Sequence, residues 1–488
     1  MISRYEVQTH LGPVSLASDE TLVNIVRSEI ALPGDPEDPL DALLRMASVT
    51  RAEDLGTAGP VVASLASKEN AANPEVRRYE AKFGRDAFYT AAFLADLYPA
   101  LEAGTVRYFA AYQGTATDPR SMSEPGKIAH HIRHPDDPIA RRLTADSGRR
   151  WPWFGSTDTT VLFLLAACRV VGRDPAALDA TVYYPSDHAE AGRAAVRGER
   201  LLTLGRVIRD AAVWLLRQLD RPTAHGLLWA GLNRKDSFTV WTDSPNSFHH
   251  RDGQLARPPV APVQLQAEVY DSLVALSQLV TRWPEVDLDA GQVLARARRI
   301  RDQLLTNFVV DSKSGPYLAN GLAIGYSGRL KPLAVRTIGM GMALDSGVLA
   351  GEDTRPLRDS LVRHLFSAEM SSPFGIVGRA RDEVRFEPFD YHSQVWAFAV
   401  HRTALGLCRH GYADLARELC HRVLEQTRDG LLPENVGAGQ GDELRYCPHI
   451  LTVRRPAADG RMTVTVKERT PAPIAAWTAG AVLAMTHR

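Results

Sequence analysis

Cysteine is scarce in this chain: four in 488 residues, Cys168, Cys408, Cys420 and Cys447, with no two at the spacing of a metal-ligand pair. Cys168 lies inside the apolar run "LFLLAACRVV" and reads as a small buried hydrophobe. This usage argues against a disulfide-built scaffold and against a cysteine-bound zinc centre. It fits a reducing compartment, so the expected location is cytoplasmic. An excess of charge of either sign is also missing, since Lys+Arg and Asp+Glu both total 57. Nucleic acid or an anionic membrane calls for a basic excess or patch, so neither is an expected partner. No apolar run approaches the roughly 20 residues that span a bilayer. The start "MISRYEVQTHLGPVSLASDE" lacks the basic and apolar regions of a secretory signal. Low-complexity tracts and internal repeats are absent, which sets aside disordered and solenoid architectures.

What the chain does have is helical periodicity. It is clear in "DAFYTAAFLADLY", "TDTTVLFLLAACRVVG", "GERLLTLGRVIRDAAVWLLRQL" and "PVQLQAEVYDSLVALSQLVTRW". It continues in "DAGQVLARARRIRDQLLTNFV", "TRPLRDSLVRHLFS", "SQVWAFAVHRTALGLCRHG", "YADLARELCHRVLEQTRD" and "PAPIAAWTAGAVLAMTHR". Weaker patterns over 103–113, 125–134 and 335–348 bring the expectation to about twelve helices between residues 80 and 488. One hairpin stands out, "HILTVRRPAADGRMTVTVKE", two alternating runs around a Gly-containing turn. The expected class is all-α with minor β-hairpins. Paired helices in that number suit a closed toroid, the (α/α)6 barrel, over residues 76–488. Residues 1–75, rich in Asp, Pro and Ala, read as an N-terminal extension packed on it.

Aromatic and polar residues gather where loops meet helices: "KFGRDAFY", "EPGKIAHHIRH", "WPWFGSTDTT", "VWTDSPNSFHH", "EPFDYHSQVWAF" and "LLPENVGAG". Long loops of this kind in a compact domain are usually functional. Each segment joins an aromatic or apolar residue to a carboxylate, imidazole or guanidinium. Sugars need that mixture, with ring faces against C–H faces and charged groups on hydroxyls. Cleavage of a glycosidic bond needs two carboxyl groups across it, one protonated and one ionised. Taken singly, every segment has a plainer reading. Asp158 and the Arg85–Asp86 pair could cap helices, Asp243 could open an Asx turn before Ser-Pro, Glu434 could be an exposed loop acid, and His392 a structural hydrogen bonder.

The order of the segments carries a resemblance. "FGRDAF", "EPGKIAHHIR", "WFGSTDTTVLF", "WTDS", "VQLQAEVYDSL", "FDYHSQVW", "LPENVGAG" and "APIAAWTAGAVLAM" occur in one chain. Over about residues 80–488 it resembles the glucosidase domain of glycogen-debranching enzymes, the amylo-α-1,6-glucosidase group, related to glucoamylase. That resemblance implies an (α/α)6 barrel whose pocket opens at one mouth, inversion at the anomeric carbon, no cofactor and no metal. It implies Asp243 as general acid and Glu434 as the base that activates water. It also implies that Arg85 and Asp86 grip the first sugar, and that Trp153, Phe154 and Asp158 wall its subsite. Glu124, Lys127, Trp241, Gln266, Tyr391, His392 and Trp396, in the remaining motifs, become further substrate contacts. Trp241 beside Asp243 would raise the acid's pKa by partial desolvation. His130, His131 and His134 form the only tempting ligand group, and they read as a helix-surface group beside the sugar.

Four segments depart from the group. Asn246 replaces a second Asp, "YHSQVWAF" replaces Tyr-His-Asn-Gly-Ser-Val-Trp-Pro, and "LPENVGAG" replaces Leu-Pro-Glu-Leu-Phe-Cys-Gly. "AVRTIGMGMALDSGVL" lacks the usual Ser-Asn-Pro-Gly-His. With only a short extension before the barrel, a small α-glucoside or related glycoconjugate is the expected substrate, rather than long glycogen chains. Two alternatives stand beside the hydrolase: a sugar epimerase, lyase or biosynthetic enzyme on the same barrel, and a non-catalytic carbohydrate-binding protein. The sequence leaves the oligomeric state open.

Overall fold

A computed structural model describes residues 3–9, 12–18, 60–65, 79, 81–133, 137–182, 202–232, 237–244, 246–325, 327–388, 390–426, 434–437, 449–456, 462–469 and 474–486. Twelve α-helices lie among them. In chain order the first six are α1 (Gly84–Phe93), α2 (Pro99–Ala110), α3 (Pro138–Ser147), α4 (Asp158–Arg173), α5 (Leu204–Leu219) and α6 (Val263–Arg282). The remainder are α7 (Ala290–Asn307), α8 (Gly339–Leu344), α9 (Arg355–Leu365), α10 (Ala397–Arg409), α11 (Ala413–Gln426) and α12 (Ala476–Thr486). The described part is therefore all-α with small sheets. None of these helices is long and apolar enough to cross a membrane.

Packing closes a ring. α1 packs on α4, α4 on α6, α6 on α8, α8 on α10, α10 on α12, and α12 returns to α1. α2 and α5 lie against α4, while α7, α9 and α11 lie against α6, α8 and α10. The helices show why. α4 and α10 bury residues nearly all round, whereas α7 buries only Val293, Ala297, Ile300 and Leu304, a stripe at helical spacing. A helix apolar on every side belongs inside, and a striped one lies outside.

The sheets are short and antiparallel. Val260–Pro262, Gly321–Ile324 and Leu330–Leu333 form a three-stranded sheet leading into α6. The expected hairpin is present as His449–Pro456 paired with Met462–Arg469. It is not the sole hairpin, because Ser3–Thr9 pairs with Gly12–Ser18 in the N-terminal region. Most of the N-terminal extension expected over 1–75 lies outside the described residues.

Three elements differ from the periodicity. The described part of the segment expected over 125–134, residues 125–133, is not helical: Gly126 adopts φ +89, and His131–Ile132 forms a strand with Lys82–Phe83. Ile128, Ala129 and Ile132 are buried in extended chain, so their spacing mimics a helical stripe. Conversely, α3 buries only Ala140 and Leu143, too little to register as a stripe. Its termini are well marked, with Asp137 accepting from Ile139 N, Pro138 at the first position, and Gly148 left-handed at the end. The weak pattern over 335–348 shrinks to the six residues of α8 followed by a 3-10 turn at Gly347–Leu349.

Inside the ring a polar network joins four helices. Tyr89 of α1 donates to Glu268 of α6 (2.6 Å), and Arg402 of α10 pairs with Glu268 and, at 3.2 Å, with Asp345 at the end of α8. Burial holds the Glu268 carboxyl above its ordinary range, although Arg402 and Tyr89 pull it down. Replacing Arg402 with Met leaves Glu268 and Asp345 without their shared cation. Loss of one member of a buried pair costs about 3–5 kcal/mol, so the midpoint of chemical unfolding should fall clearly. An unchanged midpoint would show that the network does not brace the ring.

Candidate active site

Phe83, Thr157, Pro262, Ile338 and Trp396 precede α1, α4, α6, α8 and α10, and none accepts a capping bond from its own helix. At the starts of α1 and α4, where backbone N–H groups and the helix dipole favour negative charge, Asp86 and Asp158 lie in the first turn.

Arg85, in the first turn of α1, crosses to the first residue of α4. Its Nε donates to Asp158 Oδ2 at 2.7 Å and Nη2 to Oδ1 at 3.2 Å, a two-pronged bond between buried groups. Asp158 is thus a partner across helices rather than a cap. Ser156 also donates to Asp158, while its oxygen lies 3.4 Å from Thr159 N, the donor of a capping contact. The helices can approach because residue 84 is glycine: a Cβ there would lie 2.5 Å from Thr159 Cγ2. Burial opposes the charge of Arg85, but Asp158, then Asp243 and Asp86, outweigh it and raise its pKa.

Asp243 is carried by the loop before Ser244. Phe238 N donates to Asp243 O (2.9 Å), closing a turn. Thr239 is fastened to the start of α4, its carbonyl accepting from Thr157 N at 2.6 Å and the two hydroxyls 2.7 Å apart. On the other flank, Ser244 N donates to His392 Nε2 (3.2 Å), which requires that nitrogen to be unprotonated. Trp241 stands edge-on to His392, Trp396 and Phe398, and Phe398 stacks on Trp477 at 4.4 Å.

Glu434 arrives from a separate segment. Val436 and Val395 exchange both main-chain hydrogen bonds, each 2.9 Å, so this segment lies beside the one that carries Tyr391. Tyr391 donates to Glu434 Oε1 at 3.2 Å. Burial lifts the Tyr391 phenol well above its ordinary pKa, and the charges of Glu434 and then Asp243 lift it further. Arg85, Asp86, Asp158, Trp241, Asp243, Tyr391, His392, Trp396 and Glu434 accordingly share one neighbourhood. Thr242 Oγ1 and both amide atoms of Asn435, chain neighbours of the two carboxylates, are buried without a hydrogen-bond partner among the described residues. Such groups want a ligand or water.

The other sequence candidates lie differently. Gln266 is wholly buried, its amide bonded to the backbone N and O of Leu228 and to Pro262 O, a bracket between loop and helix rather than a sugar contact. Glu124 accepts from Gln218 Nε2 (3.0 Å) and sits 3.7 Å from Arg221. Lys127 donates to Met122 O and lies over Trp214, and burial lowers it to about 8. These two brace α5. Phe154 is fully buried, and the Trp153 ring is covered by Arg149 at 3.6 Å. His130 contacts Thr159 Oγ1 (3.0 Å), and burial, then Arg85, Arg149 and Lys127, keep it neutral. His131 stacks on Phe83 and accepts from Arg133, and His134 lies outside the described residues. Among the described residues no group of three His, Cys, Asp or Glu could hold a metal.

Two residues that sequence reasoning passes over are Asp390 and Arg379. Asn246 donates to Asp390 through its amide, accepts from Ser244 Oγ (2.8 Å), and its carbonyl accepts from Arg379 (3.2 Å). An aspartate at 246 would set a second carboxylate against Asp390. The substitution of Asn for Asp is therefore matched to its partner. Asp390 stands directly before Tyr391 in "FDYHSQVW", and that adjacency was the available signal. A cavity beside the Asp243 loop is lined by Trp241, Thr242, Gln264, Thr337, Arg379 and His392 among others, and neither Asp243 nor Glu434 lines it.

No family model and no curated protein sequence matches the chain. Solved structures do. A GH63 mannosylglycerate hydrolase from Thermus thermophilus, in complex with Tris and D-glycerate, is similar with a TM-score of 0.56 at 15% identity, over 92% of this chain and 99% of that one. The same enzyme in complex with glucose gives 0.54 at 14% identity over 92% and 99%. An uncharacterized conserved protein from Thermus thermophilus gives 0.55 at 15% identity over 92% and 98%. The likeness shows a shared fold across nearly the whole chain.

Burial raises the half-buried Asp86 carboxyl to about 7, against the pull of Arg85 and with a further push from Glu434. An unfolded aspartate releases its proton near pH 3.9. Between roughly pH 4 and 7 the folded chain therefore binds more protons than the unfolded one, and rising pH erodes stability across that window. Asp86→Asn cannot titrate, so its stability relative to the parent should climb from about pH 4 to about pH 7 and then level off. Thermal unfolding across pH measures this. A constant difference would contradict the raised carboxyl.

Proposed function

We propose that this chain is a glycoside hydrolase on an (α/α)6 barrel, acting with inversion on a small α-glucoside or related glycoconjugate. The carrying observation is the position of Tyr391, bonded to Glu434 and within the electrostatic reach of Asp243, two carboxylates far apart in sequence. The closed ring of packed helices supports the barrel. The fold shared with a mannosylglycerate hydrolase, solved with glucose and with D-glycerate, supports glycosidase chemistry and a small sugar. It does not favour the debranching glucosidases in particular.

In the proposed reaction Asp243 donates its proton to the leaving oxygen while Glu434 takes one from a water on the opposite face of the ring. The water oxygen bonds to the anomeric carbon as the glycosidic bond breaks, so configuration inverts. Arg85, held charged between Asp158 and Asp86, grips hydroxyls of the sugar. Trp241, with Trp396 packed behind it, forms the apolar side, where desolvation strengthens each polar contact. Protein carboxyls supply both proton transfers, so the mechanism calls for no cofactor.

Asp243→Asn and Glu434→Gln keep shape while removing proton transfer. Each should lower kcat on an α-glucoside by about 10²–10⁴, with circular dichroism and thermal unfolding unchanged. Parental rates in both variants would overturn the two-carboxylate mechanism.

A further inference from the structure

We propose that Tyr391 is a positioning residue for the base: its phenol O–H holds Glu434 Oε1 and so fixes the carboxylate that takes the proton from the attacking water. This rests on the function proposed above and adds a role to a residue that the sequence motif marks only as a substrate contact.

The phenol is aimed by its surroundings. The Tyr391 ring stands edge-on to Trp396 at 4.6 Å and to His392 at 4.7 Å. Its carbonyl accepts from Trp396 Nε1 (3.1 Å), and Trp396 is wholly buried. Neither ring nor backbone can swing without unpacking that tryptophan. The base segment is fixed to the same frame, since Val436 pairs with Val395 four residues after Tyr391. The Tyr391–Glu434 distance is therefore set by main-chain pairing.

That bond has two chemical consequences. A carboxylate with one oxygen held by a donor cannot turn freely, which orients proton abstraction. A hydrogen bond to the ionised form also favours ionisation, and a general base must be ionised before it acts. The phenol gives up no proton during turnover. Water loses its proton to Glu434, and Asp243 loses one to the leaving group. Among the described residues, the charged and titratable groups around the pair are His392, edge-on to Tyr391, Asp86, which acts electrostatically on Glu434, and Asp243 and Tyr79, which act on Tyr391, with Arg85 beside Asp86. Asp86, when ionised, would favour protonation of the base through like charge. A neutral donor at this position counters it.

Tyr391→Phe keeps the ring packing and removes the O–H. The test is kcat, KM and the pH profile of kcat/KM on an aryl α-glucoside, for the parent, Tyr391→Phe, Glu434→Gln and the double variant. Losing a hydrogen bond to a charged group should move the acid limb up by about one to two pH units. At the optimum kcat should fall by about tenfold to a hundredfold, with KM within about threefold. Adding Tyr391→Phe to Glu434→Gln should cost nothing further, because the tyrosine acts through the glutamate. A raised KM with an unmoved acid limb would mean that Tyr391 binds sugar and would overturn the inference while leaving Glu434 as base. A full additional loss in the double variant would overturn it as well. Parental activity in Glu434→Gln would remove the base itself, and this role with it.

Discussion

The ion pair between Arg85 and Asp158 is the constraint on which the rest of the site depends. It joins residues 73 apart and ties the first turns of α1 and α4, neighbours in the helical ring. Both groups are buried, so removal of either would strand a charge in low dielectric. Gly84 permits the approach, and Ser156 serves Asp158 and the Thr159 amide together. Once Arg85 is fixed, Asp86 and Asp243 lie within its field, and the Asp243 loop is fastened to the same helix start through Thr157 and Thr239. One cation thus organises three carboxylates without neutralising the site.

The second half of the site hangs on backbone pairing and aromatic packing. Trp241, Trp396, Phe398 and Trp477 form a chain of edge-on and stacked rings that links the acid loop to α10 and α12. Such contacts are directional as well as apolar. The Glu434 segment reaches this wall through the Val395–Val436 pairing. Backbone pairing on this side brings Glu434 to the Tyr391 phenol. Tyr89, Glu268, Arg402 and Asp345 tie four of the ring helices to one another.

Five of the six ring helices were legible in the sequence because each buries enough apolar surface to show, whereas α8, six residues long, left only a weak pattern. α3 is not, since two buried residues make no stripe, although its Asp-Pro start and Gly end are plain afterwards. Extended buried chain around Ile128 and Ile132 imitates a helix for the converse reason. At the site, charged residues at helix starts were readable as a set. What each one touches was not, because partners such as Gln266 with Leu228, or Asn246 with Asp390, come from distant segments. Gln266 is indistinguishable by type from a sugar ligand, and only the position of Leu228 shows that its amide is already satisfied.

The central claim is that converging carboxylates cleave a glycosidic bond with inversion, and the anomer formed first tests it most directly. Proton NMR of the purified protein with a panel of α- and β-glucosides resolves the two anomeric protons of glucose before mutarotation mixes them. The account predicts turnover of an α-glucoside with β-glucose appearing first. α-Glucose appearing first would indicate retention through a covalent intermediate, and no release of sugar from any member of the panel would contradict the hydrolase reading altogether.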